Sequence, residues 1–174
     1  MMKLHTLISL IFAVLMFIFC MAGQAIADSV ETRYATVNYD DVALLQTFNR
    51  KVKLRGVGFS FGKKVSTNIQ SEVRKKINLL NGRVQEILEM KLPNIKFNIV
   101  LLPNKKEVQK IYRDLYQREV KFIAFYSPKT KTAYFSVRDL KLRVYAHEIA
   151  HATINHYLKE IPQSRFTKCW PEPI

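Results

Sequence analysis

The residues best suited to chemistry are His147-Glu148-Ile149-Ala150-His151, in which two histidines stand four positions apart and a glutamate follows the first. In an α-helix, side chains at i and i+4 lie on one face with their Cβ atoms about 5–6 Å apart, so two imidazoles can bind one metal ion. Zinc bound by neutral imidazoles lowers the pKa of its water to about 7, and the glutamate can accept the proton as an amide carbonyl is attacked. The pattern predicts His147 and His151 as zinc ligands and Glu148 as general base.

Chance is a weak explanation of this pattern. The chain has 4 His in 174 residues, and a shuffled chain of the same composition would contain the pattern about 0.004 times. Ile149 and Ala150 between the histidines and Ala146 and Ala152 around them are typical of a packed helix. The alternative interpretation is a pair of buried histidines satisfied by ordinary hydrogen bonds.

A catalytic zinc site normally has three protein ligands and a water, so a third ligand is needed. Glu160 follows His151 by nine residues, although a solvated glutamate in the last helical turn explains it better. Glu172 lies between two prolines near the end of the chain, and Cys169 could offer a thiolate. His156 points off the ligand face. Glu160 and Glu172 remain weak candidates, and the third ligand stays open.

Hydrophobic periodicity and turn residues supply the elements around this site. The histidine helix follows a hairpin, and a long helix earlier in the chain is a scaffold. The order is helix, strand, helix, hairpin, helix, which predicts an α+β fold. The predicted elements are a short helix capped by Asp40-Asp41, an irregular strand or loop at 55–62, a helix at 66–90, a strand at 96–102, a helix at 104–117, hairpin strands at 122–126 and 132–137, and a helix at 139–158.

The first 27 residues differ in kind from the rest of the chain. They begin with a lysine, continue with an apolar run from Leu7 to Met21, and end in Ala25-Ile26-Ala27, the small-x-small pattern of a cleavage site. We therefore expect a signal peptide that is removed after Ala27 and a protein exported to the periplasm or beyond. An uncleaved membrane anchor is the alternative, although the run is short for a span.

Composition limits the remaining classes. With 5 Gly, 6 Pro and 2 Cys, the chain is neither collagen-like nor a disulfide framework, and 48% hydrophobic residues exclude a wholly disordered basic tail. We expect one domain at 28–164. The net charge is +14, and removal of the signal segment takes away only one charged side chain, that of Lys3. No nucleic-acid-binding motif accompanies this charge, so we expect no nucleic acid partner. An anionic envelope surface is the more specific hypothesis, and a solvated basic surface without a dedicated partner is the simpler alternative.

Residues 144–152, Val-Tyr-Ala-His-Glu-Ile-Ala-His-Ala, preceded by the strand at 132–137, resemble the zincin metallopeptidases, and the small exported chain resembles the minimal gluzincins of the peptidase MA-like group. The resemblance implies a small sheet packed on a scaffold helix, an edge strand that binds the substrate backbone, here Thr132 to Val137, and a third zinc ligand from a Glu on the next helix. A metzincin pattern fails, because Ile154 and Tyr157 stand where it requires Gly and His.

The tail at 165–174 is atypical, with the chain's only Trp and no periodicity. One hypothesis is that this tail is out of frame. Starting from the third base of the Arg165 codon, the genetic code permits a Glu at the position of Lys168, where the resemblance places the third ligand. Resequencing the gene tests this, and an uninterrupted frame would exclude it.

Two functions of different classes follow. The first is an exported zinc metallopeptidase that hydrolyses a peptide or protein substrate. The second is a catalytically inactive zincin-like domain that serves as a basic envelope-binding module. The oligomeric state and the substrate are not encoded in any pattern that the sequence displays.

Overall fold

The computed structural model describes residues 28–53 and 68–160, and the side chain of Glu160 is not included. The predicted signal segment 1–27, the segment 55–62, the tail 165–174 and the weak ligand candidate Glu172 lie outside the described residues. Within the described residues the fold is mixed α+β, with a five-stranded sheet and four helices. No helix in this part of the chain is both long and apolar enough to cross a membrane.

The described residues form two strands, then two helices, a strand, a helix, a hairpin and the histidine helix. The strands are β1 (Asp28–Glu31), β2 (Ala35–Tyr39), β3 (Phe97–Leu102), β4 (Ala124–Ser127) and β5 (Thr132–Ser136). The helices are α1 (Val42–Lys51), α2 (Ile69–Ile87), α3 (Lys105–Tyr116) and α4 (Leu142–Glu160). All four predicted helices and the predicted strand and hairpin at 96–137 are confirmed, with small shifts at their ends.

The sheet has the strand order β1-β2-β3-β5-β4. Strands β2, β3 and β5 are parallel, whereas β1 and β4 are antiparallel to their neighbours at the two edges. The expectation that Thr132 to Val137 forms the edge strand is wrong. The connection through α3 places β5 beside β3, and the hairpin then folds β4 onto the outside, so Ala124–Ser127 is the edge strand.

The alternation of side chains along each strand divides the core into two clusters. On β3, Phe97, Ile99 and Leu101 belong to the main cluster with α1, α2 and α4, whereas Val100 and Leu102 belong to a smaller cluster with α3. The sheet therefore lies between α3 on one face and the other three helices on the opposite face. This arrangement fixes α4 against the sheet beside the edge strand.

Tyr145 anchors α4 in the main cluster, and its contribution to the stability of the fold can be tested. Its side chain is fully buried, stacks on Phe135 with ring centroids 5.2 Å apart, and meets Phe48 edge-on at 5.6 Å. Its hydroxyl donates a 2.8 Å hydrogen bond to Oδ1 of buried Asn81. Burial raises the pKa of Tyr145, so the phenol remains a donor at every working pH.

Tyr145→Phe should lower the free energy of unfolding by about 1–3 kcal/mol, because it leaves a buried amide oxygen unpaired. Nδ2 of Asn81 already lacks a partner among the described residues, so a second orphaned atom on the same side chain is costly. Urea denaturation measures the loss. The double variant Tyr145→Phe/Asn81→Leu should recover part of it, since both polar partners are then gone; a loss in Tyr145→Phe below about 0.5 kcal/mol would contradict this role.

Candidate active site

The site lies where α4 passes the edge strand β4. Buried residues recur along α4 as Tyr145, Ile149 and Ala152, a helical spacing that seats this face on the sheet. The neighbouring face therefore points away from the core and carries His147 and His151, both exposed. Glu148 lies between the two faces and is only 8% exposed. One rigid helix at the edge of the core therefore carries all three of these side chains.

The two histidines converge as the sequence predicts. Their Nε2 atoms are 3.1 Å apart, and their rings are nearly perpendicular at 85° with centroids 4.6 Å apart. In a tetrahedral site with zinc–nitrogen bonds of about 2.05 Å, two nitrogen ligands would be about 3.3 Å apart. The alternative of two buried, conventionally satisfied histidines is wrong, because both side chains are exposed. The pair fits two adjacent positions of a zinc site.

The rest of a ligand set is not found in the described residues. No group of three or more His, Cys, Asp or Glu side chains converges in residues 28–53 and 68–160. Glu160 ends α4, but its side chain is not described, and Glu172 and Cys169 lie beyond the described residues. His156 turns away as expected: its Nδ1 donates to the carbonyl of Ala152, and its ring lies 6.3 Å from that of Phe97.

Glu148 is held by the edge strand. Its Oε2 accepts a 2.9 Å hydrogen bond from the backbone N–H of Tyr126 on β4. Burial raises the pKa of Glu148, while the two neighbouring histidines and the Tyr126 N–H oppose that rise. A carboxylate bonded through one oxygen keeps its other oxygen, Oε1, for exchange of a proton. Sequence reasoning missed Tyr126, because the contact joins residues 22 apart that no local pattern relates.

The edge strand also directs free backbone groups toward the histidines. The carbonyl of Ile123 accepts a hydrogen bond from the N–H of Ser136. The backbone N–H and C=O groups of residues 123, 125 and 127 therefore point toward β5, and those of Ala124 and Tyr126 point away from the sheet. The hydrogen bond from Tyr126 N–H to Glu148 agrees with this alternation. Ala124 therefore presents its N–H and C=O along the open edge of the sheet, beside His147 and Glu148.

Two cavities meet at this point and form one cleft. Both are lined by Phe122, Ala124, His147 and Glu148. The apolar arm, of about 530 Å³, extends toward the C-terminal end of α4 and is also lined by Tyr112, Phe125, Tyr126, Ile154 and Leu158. The basic arm, of about 650 Å³, extends toward the start of α4 and is also lined by Lys121, Ile123, Arg143 and Val144.

The apolar arm contains two buried polar atoms without partners among the described residues, the hydroxyl of Tyr126 and Oδ1 of Asn155. Burial, with a smaller contribution from Tyr116, raises the pKa of Tyr126 to about 12, so this phenol stays neutral. Leu158 and Phe122 remain about half exposed at 47% and 46%. The arm is thus an open, mainly apolar surface that also contains the polar groups of His147, Glu148, His151 and Asn155, a combination that is typical of ligand sites.

The geometry brings together His147, Glu148 and His151, the three residues that the sequence singled out with most reason, and adds Ala124 and Tyr126 from the edge strand. Lys121 and Arg143 were also missed as cleft residues, because their proximity depends on the packing of β4 against α4. Comparison with known proteins gives no further guidance: no family model, no curated protein and no solved structure matches the chain.

Proposed function

We propose that this protein is an exported, zinc-dependent metallopeptidase with a zincin-like fold. The observation that carries the proposal is the convergence of the His147 and His151 Nε2 atoms at 3.1 Å beside a buried glutamate at the edge of a sheet. The resemblance of residues 144–152 to zincins and the position of α4 beneath an edge strand support the same conclusion.

His147 and His151 would hold the zinc, with a third ligand from outside the described side chains. Bound zinc supplies a Lewis acid and lowers the pKa of water. Glu148 then acts as general base: Oε2 remains on the Tyr126 N–H, and Oε1 accepts a proton and returns it to the departing amine. The hydrogen bond from Tyr126 N–H holds the carboxylate in one orientation, so Oε1 need not reorient before it accepts the proton.

The peptide substrate binds as an additional strand along β4. Ala124 N–H and C=O form hydrogen bonds with its backbone, and the alternating side chains of an extended peptide enter the arms of the cleft. Antiparallel addition is the more stable pairing per residue. It places the C-terminal part of the peptide beside the beginning of β4 and its N-terminal part beside Ser127.

Metal removal tests this proposal. Purified protein should contain about one zinc per chain, and a chelator should abolish cleavage of an unfolded protein such as casein, with activity restored by added zinc. Mass spectrometry of the products and elemental analysis provide the two measurements. Zinc far below one per chain after growth with zinc, or cleavage that resists the chelator, would exclude a zinc peptidase.

The second candidate function is a catalytically inactive zincin-like domain that binds an anionic envelope surface through its basic charge. The absence of a third ligand among the described residues favours it, as does the net charge of +14. Binding to anionic vesicles or polysaccharide that salt reverses, without bound zinc, would support this alternative over the peptidase.

A further inference from the structure

The basic arm of the cleft differs in chemistry from the apolar arm. Lys121 lies just before β4, and Arg143 lies in the first turn of α4, so the two cations approach the same cavity from different elements. Both side chains are exposed, and neither forms an ion pair with any described residue. Two cations that face one cavity and lack acidic partners favour an anionic ligand there.

The basic arm contains little negative charge that could pair with Lys121 and Arg143. Glu148 is the only acid among the described residues that line this arm, and its Oε2 is already bonded to the Tyr126 N–H. The first turn of α4 contains no acidic residue, so the partial positive charge of that helix end adds to the same field. Apart from His147, the remaining residues of the arm are apolar, which suits the body of a peptide side chain.

The direction of the substrate decides which part of it meets these cations. A peptide antiparallel to β4 places the residues after its scissile bond beside residues 121–123. The reacting carbonyl lies near His147 and Glu148, where the two arms meet. The next residues in the C-terminal direction therefore enter the basic arm.

We propose that the basic arm binds a substrate carboxylate on the C-terminal side of the scissile bond, with Lys121 and Arg143 as its specificity-determining residues. This inference rests on the proposed function and adds a substrate class to it. The carboxylate comes from an aspartate or glutamate side chain or from the free C-terminus of a short peptide. These two sources share their chemistry and differ in the distance from the scissile bond.

A binding assay on the zinc-loaded Glu148→Gln variant tests the inference without cleavage. The four probes are fluorescent hexapeptides of one apolar sequence. The first carries a downstream Glu and a C-terminal amide, the second a downstream Gln and a free C-terminus, and the third a downstream Gln and an amide. The fourth carries an upstream Glu and an amide. A downstream or terminal carboxylate should tighten binding about fivefold in fluorescence anisotropy, as two exposed ion pairs predict. Whichever carboxylate gives the gain identifies the source.

Substitutions connect the gain to the two cations. In the same background, Lys121→Ala/Arg143→Ala should remove the fivefold preference, and Lys121→Glu/Arg143→Glu should shift the preference to a peptide with downstream Lys. The matched control is Lys75→Ala/Arg138→Ala, which removes the same charges from exposed positions that do not line the cleft. This control should keep the preference, and circular dichroism confirms that each variant is folded.

Several results would overturn the inference. These are equal affinity for the carboxylate and amide peptides, a preference for upstream Glu, a preference that survives charge reversal, or no peptide binding at all. Loss of phosphatidylglycerol vesicle binding in Lys121→Ala/Arg143→Ala, with no peptide preference in the parent, would assign the cations to a membrane surface instead. Wild-type cleavage without a carboxylate preference refutes this inference alone, whereas a preference in binding without any cleavage refutes the peptidase function alone.

Discussion

Glu148→Gln should retain zinc and lose peptide cleavage by about a hundredfold to ten-thousandfold, the range for removal of a general base. The substitution preserves the size of the side chain, and the amide oxygen of Gln can still accept the hydrogen bond from Tyr126 N–H. The amide cannot accept the proton from water, so the defect should lie in kcat and leave substrate binding nearly unchanged.

The measurements are zinc content and steady-state kinetics on the same preparation. Glu89→Gln is the matched control, because it makes the same chemical change at an exposed position outside the cleft; its activity should equal that of the parent. Undiminished cleavage by Glu148→Gln would remove the assignment of the base. Loss of zinc in Glu148→Gln would show that Glu148 supports the metal site itself.

His147→Ala/His151→Ala should weaken zinc binding by about a hundredfold or more for each ligand removed. This scale comes from structural zinc sites, in which a binding free energy of about 10–16 kcal/mol is shared by four ligands. Zinc should raise the Tm of the parent protein by about 5–10 °C at a free concentration of 100 times Kd, and this rise should vanish in the double variant. Both side chains are exposed, so the apo double variant should unfold at nearly the temperature of the apo parent.

His156→Gln provides the control, since it removes an imidazole from the same helix on a face that packs toward Phe97. It should keep the zinc-dependent rise in Tm, although its own Tm is expected to fall slightly with the loss of packing. Differential scanning calorimetry with and without zinc gives all values. A zinc-dependent rise that persists in His147→Ala/His151→Ala would move the metal site away from this pair.

Local patterns predicted all four helices of the described residues, because the signals of a helix are local. Asn104 caps α3 by accepting from the N–H groups of Lys106 and Glu107, and α2 shows the helical spacing of Val73, Ile77, Leu80 and Val84 on its buried side. The spacing of His147 and His151 required only that α4 be a helix. The geometry of the histidine pair was therefore accessible from the sequence.

The sequence interpretation omitted β1 and β2. In β1 only Val30 of four residues is buried, so no apolar run marks it. In β2 the buried residues Ala35, Val37 and Tyr39 do alternate with less buried ones, but five residues are a weak signal by themselves. Pairing with β3 stabilises this strand in the fold, and that partner lies about 60 residues later.

Strand order and the composition of the cleft are set by packing between distant parts of the chain. Nothing local distinguishes β5 as an interior strand from β4 as an edge strand, since both belong to one hairpin. The approach of Tyr126 N–H to Glu148 and of Lys121 to Arg143 follows from that order. These are the contacts on which the orientation of Glu148 and the proposed carboxylate preference depend.

The hydrogen bond from Tyr126 N–H to Glu148 has a consequence for solubility. An exposed edge strand can pair with the same strand of a second molecule and so begin aggregation. The Glu148 side chain accepts a hydrogen bond from one outward N–H of β4, so a second strand cannot use that donor. Glu148→Ala should therefore self-associate more than Glu148→Gln in sedimentation velocity, because only alanine frees the Tyr126 N–H for pairing with a second molecule. The same residue would serve both catalysis and protection of the monomer.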